Sequence, residues 1–324
     1  MKKLLSILLA VILVFSLSGC SLEGTIDNAV NDFKTGVQNA VNDGVSDIKD
    51  AMGKPQEWLD KSESDAPTDS QSITQMTVLD VGQGLSVLIE SNGEYALYDG
   101  GDRTASSYVV SYLKKHNITK IKYMIASHYD DDHINGLVGV LKNYDVENII
   151  GPDYTTDTRV YKSFVEEIKT QGKTVIHPNE GDTYSFGNAK LTVIAPNKGF
   201  DTDDNNEKSI VMKLTTETYT CLITGDAGEE SEKYMLNKGA NVSADILIVG
   251  HHGSSGSSTA KFLDKVKPEL ALISVGKGNM YKHPSDKTLD RLNDRNIPIV
   301  RTDESGEITI KCTNSSYEIV KQKN

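Results

Sequence analysis

Hydrophobic positions divide this chain into three stretches with different periods. After Lys2 and Lys3, residues 4–17 are almost unbroken apolar sequence, closing on Leu17-Ser18-Gly19-Cys20. That run is short for a bilayer span, and its positive start and small-residue exit have the form of an export signal. From Ile26 onward, Val30, Phe33, Val37, Val41, Val45, Ile48 and Met52 recur at steps of three or four, which puts them on one helix face. Asn-Ala-Val-Asn-Asp stands at 28 and again at 39, a repeat close to about 3.67 residues per turn. Residues 62–72, rich in Ser, Asp and Pro, read as a spacer.

From Ile73 the pattern changes to short apolar runs alternating with helical periodicity. Strands are predicted over 73–80, 86–90, 95–99, 121–126, 191–195, 210–215, 219–224, 246–249, 270–274, 299–301 and 307–313. Helices are predicted over 105–115, 134–141, 161–170, 229–237, 259–266 and 286–295. Ser91-Asn92-Gly93-Glu94 is a hairpin turn between the second and third strands. The mixture implies an α/β fold with two sheets faced by helices.

Composition adds limits. The 324 residues carry a formal net charge of -12. A protein that tracks along nucleic acid presents a basic face, so this balance counts against high-affinity binding of duplex DNA while leaving room for a local phosphate site. Three cysteines make no disulfide framework; Cys221 and Cys312 lie in predicted strands and read as buried thiols.

The densest chemistry is Ser127-His128-Tyr129-Asp130-Asp131-Asp132-His133, directly after the apolar run 121–126. Three Asp alone would read as a solvated acidic loop. The flanking imidazoles change that, because mixed oxygen and nitrogen donors on a loop leaving a strand are suited to binding a divalent ion for hydrolysis. An EF-hand alignment fails, since it puts Lys142 where a bidentate Glu belongs. Five of the seven His (His128, His133, His251, His252 and His283) fall at similar strand-to-loop positions.

Six blocks in order carry a resemblance to a known family: Leu79-Asp80-Val81-Gly82-Gln83-Gly84; Tyr98-Asp99-Gly100-Gly101; Ser127 through Leu137; Leu222-Ile223-Thr224-Gly225-Asp226-Ala227; Val249-Gly250-His251-His252-Gly253-Ser254; and Ser274-Val275-Gly276 through His283-Pro284. Together they resemble the metallo-β-lactamase fold superfamily, in the branch of ComEC-type competence hydrolase domains and teichoic acid phosphorylcholine esterases. Asp130 stands where the wider superfamily has His, as in that branch. The third-block His is missing, and Asn206 and Ser209 occupy its region. Leu85 replaces an Asp often found after Gly-Gln-Gly.

The resemblance implies a four-layer αββα sandwich over 73–324 and two divalent ions, zinc or manganese. One ion would take His128, Asp130 and His251, the other Asp132, His133 and His283, with Asp226 bridging and a shared hydroxide as nucleophile. Coming first after its strand, His251 is preferred over His252, which is left to orient a ligand or protonate the leaving oxygen; Asp132 is the other residue given a part in catalysis. Asp80, Gln83 and Asp99 would support the metal loop from the rim, with Asn206 and Ser209 behind it. Two dications, three carboxylates and a hydroxide leave the site near neutral, so a phosphodiester is not repelled. The substrate would be DNA or a cell-envelope phosphoester; for a choline ester, Tyr129 and Tyr281 would have to form the aromatic cage. Lactam or lactone hydrolysis, and a surface lipoprotein that binds metal without turnover, are the competing readings.

The leader also resembles a bacterial lipoprotein signal. That implies a signal peptide over 1–19, acylation of Cys20, and an extracytoplasmic protein anchored to the cell membrane by its lipid. Residues 20–72 would then be anchor, helix and spacer. The apolar face over 25–52 has three candidate supports: membrane, a partner helix, or the catalytic domain. A monomer is expected.

Overall fold

The computed structural model describes residues 74–196 and 200–323. The signal peptide, Cys20, and the helix and spacer expected before residue 73 lie outside the described residues. Among the described residues no helix is long and apolar enough to cross a membrane.

Two sheets form the middle of the fold. The first is built from β1 (Gln75–Val78), β2 (Val87–Ser91), β3 (Glu94–Tyr98), β4 (Lys120–Ile125), β5 (Asp145–Ile150), β6 (Val175–Ile176), and, returning from the chain end, β14 (Ile308–Cys312) and β15 (Tyr317–Lys321). Their order is β15-β14-β1-β2-β3-β4-β5-β6. The second sheet runs β13-β12-β11-β10-β9-β8-β7, from β7 (Thr183–Phe186), β8 (Ala189–Ala195), β9 (Val211–Thr215), β10 (Thr220–Ile223), β11 (Ile246–Ile248), β12 (Leu270–Ile273) and β13 (Ile299–Arg301).

The period-2 alternation of these strands builds the layers. Met76, Val78, Val87, Ile89, Ala96 and Tyr98 face Leu191, Val193, Met212, Leu214, Cys221, Ile223, Ile246 and Leu272 in one core between the sheets. The opposite face of the first sheet, including Leu88, Leu97, Ile121 and Met124, packs on α1 (Ser106–Lys115), α2 (Asp131–Asn143) and α3 (Arg159–Thr170). The outer face of the second, including Leu222, Leu247, Ala271 and Ile273, packs on α4 (Glu229–Lys238), α5 (Ala260–Val266) and α6 (Asp286–Asn293). A short α7 (Thr302–Ser305) precedes β14. The result is the αββα sandwich the resemblance implied.

β3, β4 and β5 are mutually parallel, as are β10, β11, β12 and β13. Their carboxyl ends therefore point the same way within each sheet, and loops leaving them collect at one edge. Two bonds tie that edge across the sandwich: Ile210 N–H donates to Ser127 O at 2.9 Å, and Tyr98 Oη donates to Ile210 O at 2.6 Å.

The metal loop is shorter than expected. α2 begins at Asp131 rather than at Ile134, with Asp130 in extended conformation just before it. Three acidic residues at a helix start suit the positive end of the dipole, which outweighs the missing apolar periodicity there. β5, β6, β7 and β15 were not anticipated. In β5 the run Asp145-Val146-Glu147-Asn148 hides the strand behind polar residues, and β15 is an edge strand exposed over most of its length.

α2 approaches the β3 exit very closely. Gly100 N–H donates to His133 O at 2.7 Å, and Gly136 N–H donates to Gly101 O at 3.2 Å. A Cβ built on Gly136 would fall on the Gly100 carbonyl. Gly136→Ala is therefore expected to destabilise the protein by about 3 kcal/mol, whereas Gly172→Ala, at φ +67 with open space around it, is expected to cost about 1 kcal/mol. Urea unfolding of the two variants checks the contrast.

Candidate metal centre

The side chains of the site are carried by the exits of three strands and by the segment entering β9. β4 delivers His128 and, through the first turn of α2, Asp132 and His133. β10 delivers Asp226, and β11 delivers His251 and His252. The segment entering β9 brings Ser209, whose Oγ accepts from Asp226 N–H at 3.1 Å and lies 3.5 Å from His128 Nδ1.

The imidazoles are oriented from behind. Asp99, fully buried, accepts from His133 Nδ1–H at 2.8 Å, from Ser127 N–H at 2.8 Å and from Ser127 Oγ at 2.7 Å. Since the Ser127 hydroxyl proton goes to Asp99, its oxygen accepts from His128 Nδ1–H, 3.0 Å away. His252 Nδ1–H donates to Ser274 O at 3.0 Å. All three rings thus spend Nδ1 on the protein and turn Nε2 inward as a lone-pair donor, the arrangement found at histidine metal ligands.

Those inward atoms meet carboxylate. His133 Nε2 lies 3.2 Å from Asp226 Oδ1. His252 Nε2 lies 3.5 Å from both Asp226 Oδ1 and Asp132 Oδ2. Donor atoms of His128, His133 and Asp226 stand within 4.8 Å of one another, as do those of Asp132, His133 and His252. His128 Nε2, His133 Nε2, His252 Nε2, Asp226 Oδ1 and His283 Nδ1 are buried and have no hydrogen-bond partner. Stranded polar atoms are costly, and four of these, the Nε2 atoms of His128, His133 and His252 with Asp226 Oδ1, gather in the way that fits a divalent cation.

The grouping differs from the expected one. His252, only 3% exposed, takes the place beside Asp132 and His133, while His251 is 32% exposed with Nε2 3.6 Å from Asp226 Oδ2. Choosing the first His after the strand assumed an extended exit. Both residues are instead left-handed, at φ 49 and 54, and this turn swings the second imidazole inward. His283 does not stand with Asp132 and His133 either; its ring is 5.6 Å from that of His251, further out. Asp130 is at the mouth, 46% exposed, with Oδ2 3.9 Å from His128 Nε2. Asp131 is exposed on α2.

The remaining predicted residues divide. Gln83 lies between Gly82 and Gly84, and its Oε1 accepts from Gly276 N–H at 3.4 Å. A Cβ on Gly84 would strike the Asp132 carbonyl, so this loop presses on the backbone of the metal loop. Asn206 opens a 3-10 turn, and its carbonyl accepts from Ser209 N–H at 3.0 Å. Asp80 was expected at the rim. Its carboxylate instead meets Lys323 Nζ at 3.4 Å, because the chain end returns beside β1. Tyr129, one of the two tyrosines a choline cage would require, is 1% exposed and packs on Tyr154, Tyr161 and Phe164.

Sequence reasoning missed Ser127, Ser274, Glu207 and Glu232. Ser127 was visible as the small polar residue preceding His128. The Glu207 carboxylate accepts from Gly228 N–H at 3.0 Å and Ser231 N–H at 2.8 Å, tying the Ser209 segment to the Asp226 segment. Glu232 accepts from the backbone amides of Ser258 and Thr259, tying α4 to the chain leaving His252. No spacing pattern marks either.

The profile of the metallo-beta-lactamase superfamily matches residues 79–277. The chain belongs to the metallo-beta-lactamase superfamily. It is 28% identical over 258 residues to ComE operon protein 3 of Bacillus subtilis, covering 74% of this chain and 33% of that protein. It is 31% identical over 235 residues to competence protein ComA of Neisseria gonorrhoeae, covering 72% and 31%. The chain thus spans about a third of the length of these relatives. Among solved structures, Igni18, a metallo hydrolase of Ignicoccus hospitalis, superposes with a TM-score of 0.52 at 11% identity, over 74% of this chain and 100% of that one. The fold is that of metal-dependent hydrolases, and the resemblance to the ComEC-type branch of the metallo-beta-lactamase superfamily is sustained.

Charge in the metal-free cluster is shared unevenly. Burial alone would strip protons from every imidazole. For His128 it prevails, with the neighbouring His133 adding to it, and the group drops to about 3. For His133 and His252 burial is overcome by Asp226, together with Asp99 and Asp132 for the first and Asp132 for the second, and both are raised. Asp226 is held well below the carboxylate range, since His133 and His252 outweigh its burial. Outside the cluster, burial lifts Glu232 to about 7.

Cations must displace the protons on His133 and His252, so affinity for Zn²⁺ should fall as pH is lowered; calorimetric titration between pH 6 and 8 checks it. Stability of the metal-stripped protein should move the other way. His133, His252 and Glu232 all bind protons more tightly folded than unfolded, so the stability they add at low pH is lost as pH rises through their folded values; His128 and His283, lowered on folding, oppose them only below the ordinary histidine value, so the three raised groups decide the sign between pH 6 and 8. The thermal midpoint without metal is expected to fall from pH 6 to pH 8. Asp99→Asn, which disturbs the partner of His133 Nδ1–H, is expected to weaken Zn²⁺ binding by about 10–100-fold, read in the same titration.

Proposed function

We propose that this protein is an extracytoplasmic, lipid-anchored metal-dependent hydrolase that cleaves a phosphodiester, in DNA or in a cell-envelope phosphoester. The observation carrying the reading is the convergence of unpaired His128, His133 and His252 Nε2 atoms on the Asp226 carboxylate. A lactamase-type site would use a third-block His where this chain has Ser209; the Asp130 position also favours the phosphodiester branch.

In this reading His128, Asp130 and Asp226 would hold one ion, and Asp132, His133 and His252 would hold the other. The donor set of imidazole and carboxylate suits zinc or manganese. Bound there, the ions would supply Lewis acidity at the phosphoryl oxygens and lower the pKa of a water.

The chain's own residues do the rest. Asp99 and Ser127 hold the His133 and His128 rings in place and fix which nitrogen faces the metal centre. Ser209 fixes the Asp226 backbone. His251, a third exposed and beside Asp226, is the group placed to pass a proton to the departing alcohol at the mouth. His252, whose Nδ1–H is committed to Ser274, is a ligand rather than that acid. Acylation of Cys20 would keep the site at the outer membrane surface, within reach of envelope phosphoesters and incoming DNA.

Hydrolysis of bis-p-nitrophenyl phosphate by the full chain tests the reading. Activity is expected to vanish with chelator, return with Mn²⁺ or Zn²⁺, and disappear in His128→Ala and Asp226→Ala. Turnover of nitrocefin without any phosphodiesterase activity would overturn the assignment.

A further inference from the structure

The loop between β12 and α6 carries a feature the hydrolytic centre does not use. Met280 is 83% exposed and Tyr281 60% exposed, on a loop held firmly at its base. The Asn279 side chain donates to Gly276 O at 2.9 Å and to His283 O at 2.6 Å, and accepts from His283 N–H at 3.0 Å. Gly276 packs against the Gly82–Gln83 backbone, where a Cβ would come within 2.6 Å of Gln83 N. One side chain thus closes the loop across its neck and leaves residues 280–282 projecting. An ordered loop that keeps a tyrosine and a methionine in water invites an explanation.

Its position supplies one. The Tyr281 ring lies over the His283 ring at 5.8 Å and 26° between planes. His283 neighbours His251, and His251 neighbours Asp226. The aromatic ring therefore stands two side chains from the metal centre, at its mouth. Lys277 and Lys282 are exposed on the same loop, and no acidic residue occurs between Glu269 and Asp286, in a chain whose net charge is -12. The loop therefore carries two exposed lysines, no acid and a flat aromatic face.

We infer that Tyr281, flanked by Lys277 and Lys282, is a binding ledge for the chain beyond the scissile phosphate, stacking a flat ring while the lysines meet neighbouring phosphates. The inference rests on the phosphodiesterase reading and narrows it to single-stranded nucleic acid. Stacking on an exposed aromatic serves any base, and lysines alongside follow the backbone. A phosphorylcholine ester fits poorly, because its ammonium would face two like charges. Tyr129, the other tyrosine that a choline cage would need, is buried.

Fluorescence anisotropy of a labelled short oligo(dT), with metal-stripped full chain so that nothing is cleaved, tests the ledge apart from catalysis. Tyr281→Ala is expected to weaken binding about tenfold, while Tyr281→Phe keeps the affinity. Lys277→Gln and Lys282→Gln should each flatten the slope of log affinity against log salt by about 0.7. In turnover with metal, Tyr281→Ala should lower kcat/KM on oligo(dT) about tenfold more than on p-nitrophenyl phosphorylcholine. Oligo(dT) binding that is absent in the wild type, or unaffected by Tyr281→Ala, overturns the ledge; so does an equal loss on both substrates. A wild-type chain that binds oligo(dT) in the expected pattern yet hydrolyses no phosphodiester overturns the hydrolase reading and leaves the ledge standing.

Discussion

Burial of the Asp99 carboxylate is the constraint on which the site depends. A fully buried carboxylate is tolerated only where hydrogen bonds replace its water, and Asp99 has three, from Ser127 N–H, Ser127 Oγ and His133 Nδ1–H. Those three donors come from the exit of β4 and the first turn of α2. Satisfying Asp99 therefore fixes the path of the chain from Ser127 to His133. It also decides the tautomers, since the hydroxyl proton given to Asp99 obliges Ser127 to accept from His128. The close backbone contact between Gly100 and Gly136 lets α2 sit near enough for the His133 bond to form. Glycine at these positions is a condition of the chemistry as much as of packing.

The second sheet answers with buried acids of its own. Glu207 and Glu232 accept from backbone amides at the starts of α4 and α5. They reinforce the direct bonds between these loops, from Asp226 N–H to Ser209 Oγ and from His251 N–H to Gly225 O, so that the Ser209, Asp226 and His252 segments are held to one another. The helix starts gain negative charge where the dipole favours it, and the loops gain a common frame. The active edge is thus built from two halves, one organised around Asp99 and the other around a pair of glutamates, joined across the sandwich by Tyr98 Oη and the Ile210 amide.

How far this was legible from sequence depends on how local each feature is. Strands with apolar alternation, the helices with a 3.6 period and the layered architecture could be read directly. The His128–His133 block announced itself because five of six neighbouring residues carry imidazole or carboxylate donors. The choice between His251 and His252 could not be read, because it turns on two left-handed residues that no hydrophobic pattern encodes. Asp80 was misplaced for a related reason: its partner Lys323 lies at the far end of the chain. β5, with its polar middle, and β15, at the sheet edge, lacked the pattern that betrays a strand, and gained their structure from pairing with neighbours.

The same network also explains why the site suits metal better than it suits protons. Without a cation, Asp226 and Asp132 raise His133 and His252 against their burial, while burial and the neighbouring His133 depress His128. Buried Nε2 and Oδ1 atoms remain unpaired in that arrangement. A divalent ion replaces mobile protons with a fixed charge at the point toward which every donor is already aimed. The imidazoles need no reorientation, since their Nδ1–H bonds to Asp99, Ser127 and Ser274 persist. Preorganisation of this kind keeps binding selective for ions that accept nitrogen and oxygen together, and it leaves the exposed side of the centre, bounded by Asp130, His251 and His283, as the face through which a substrate can approach.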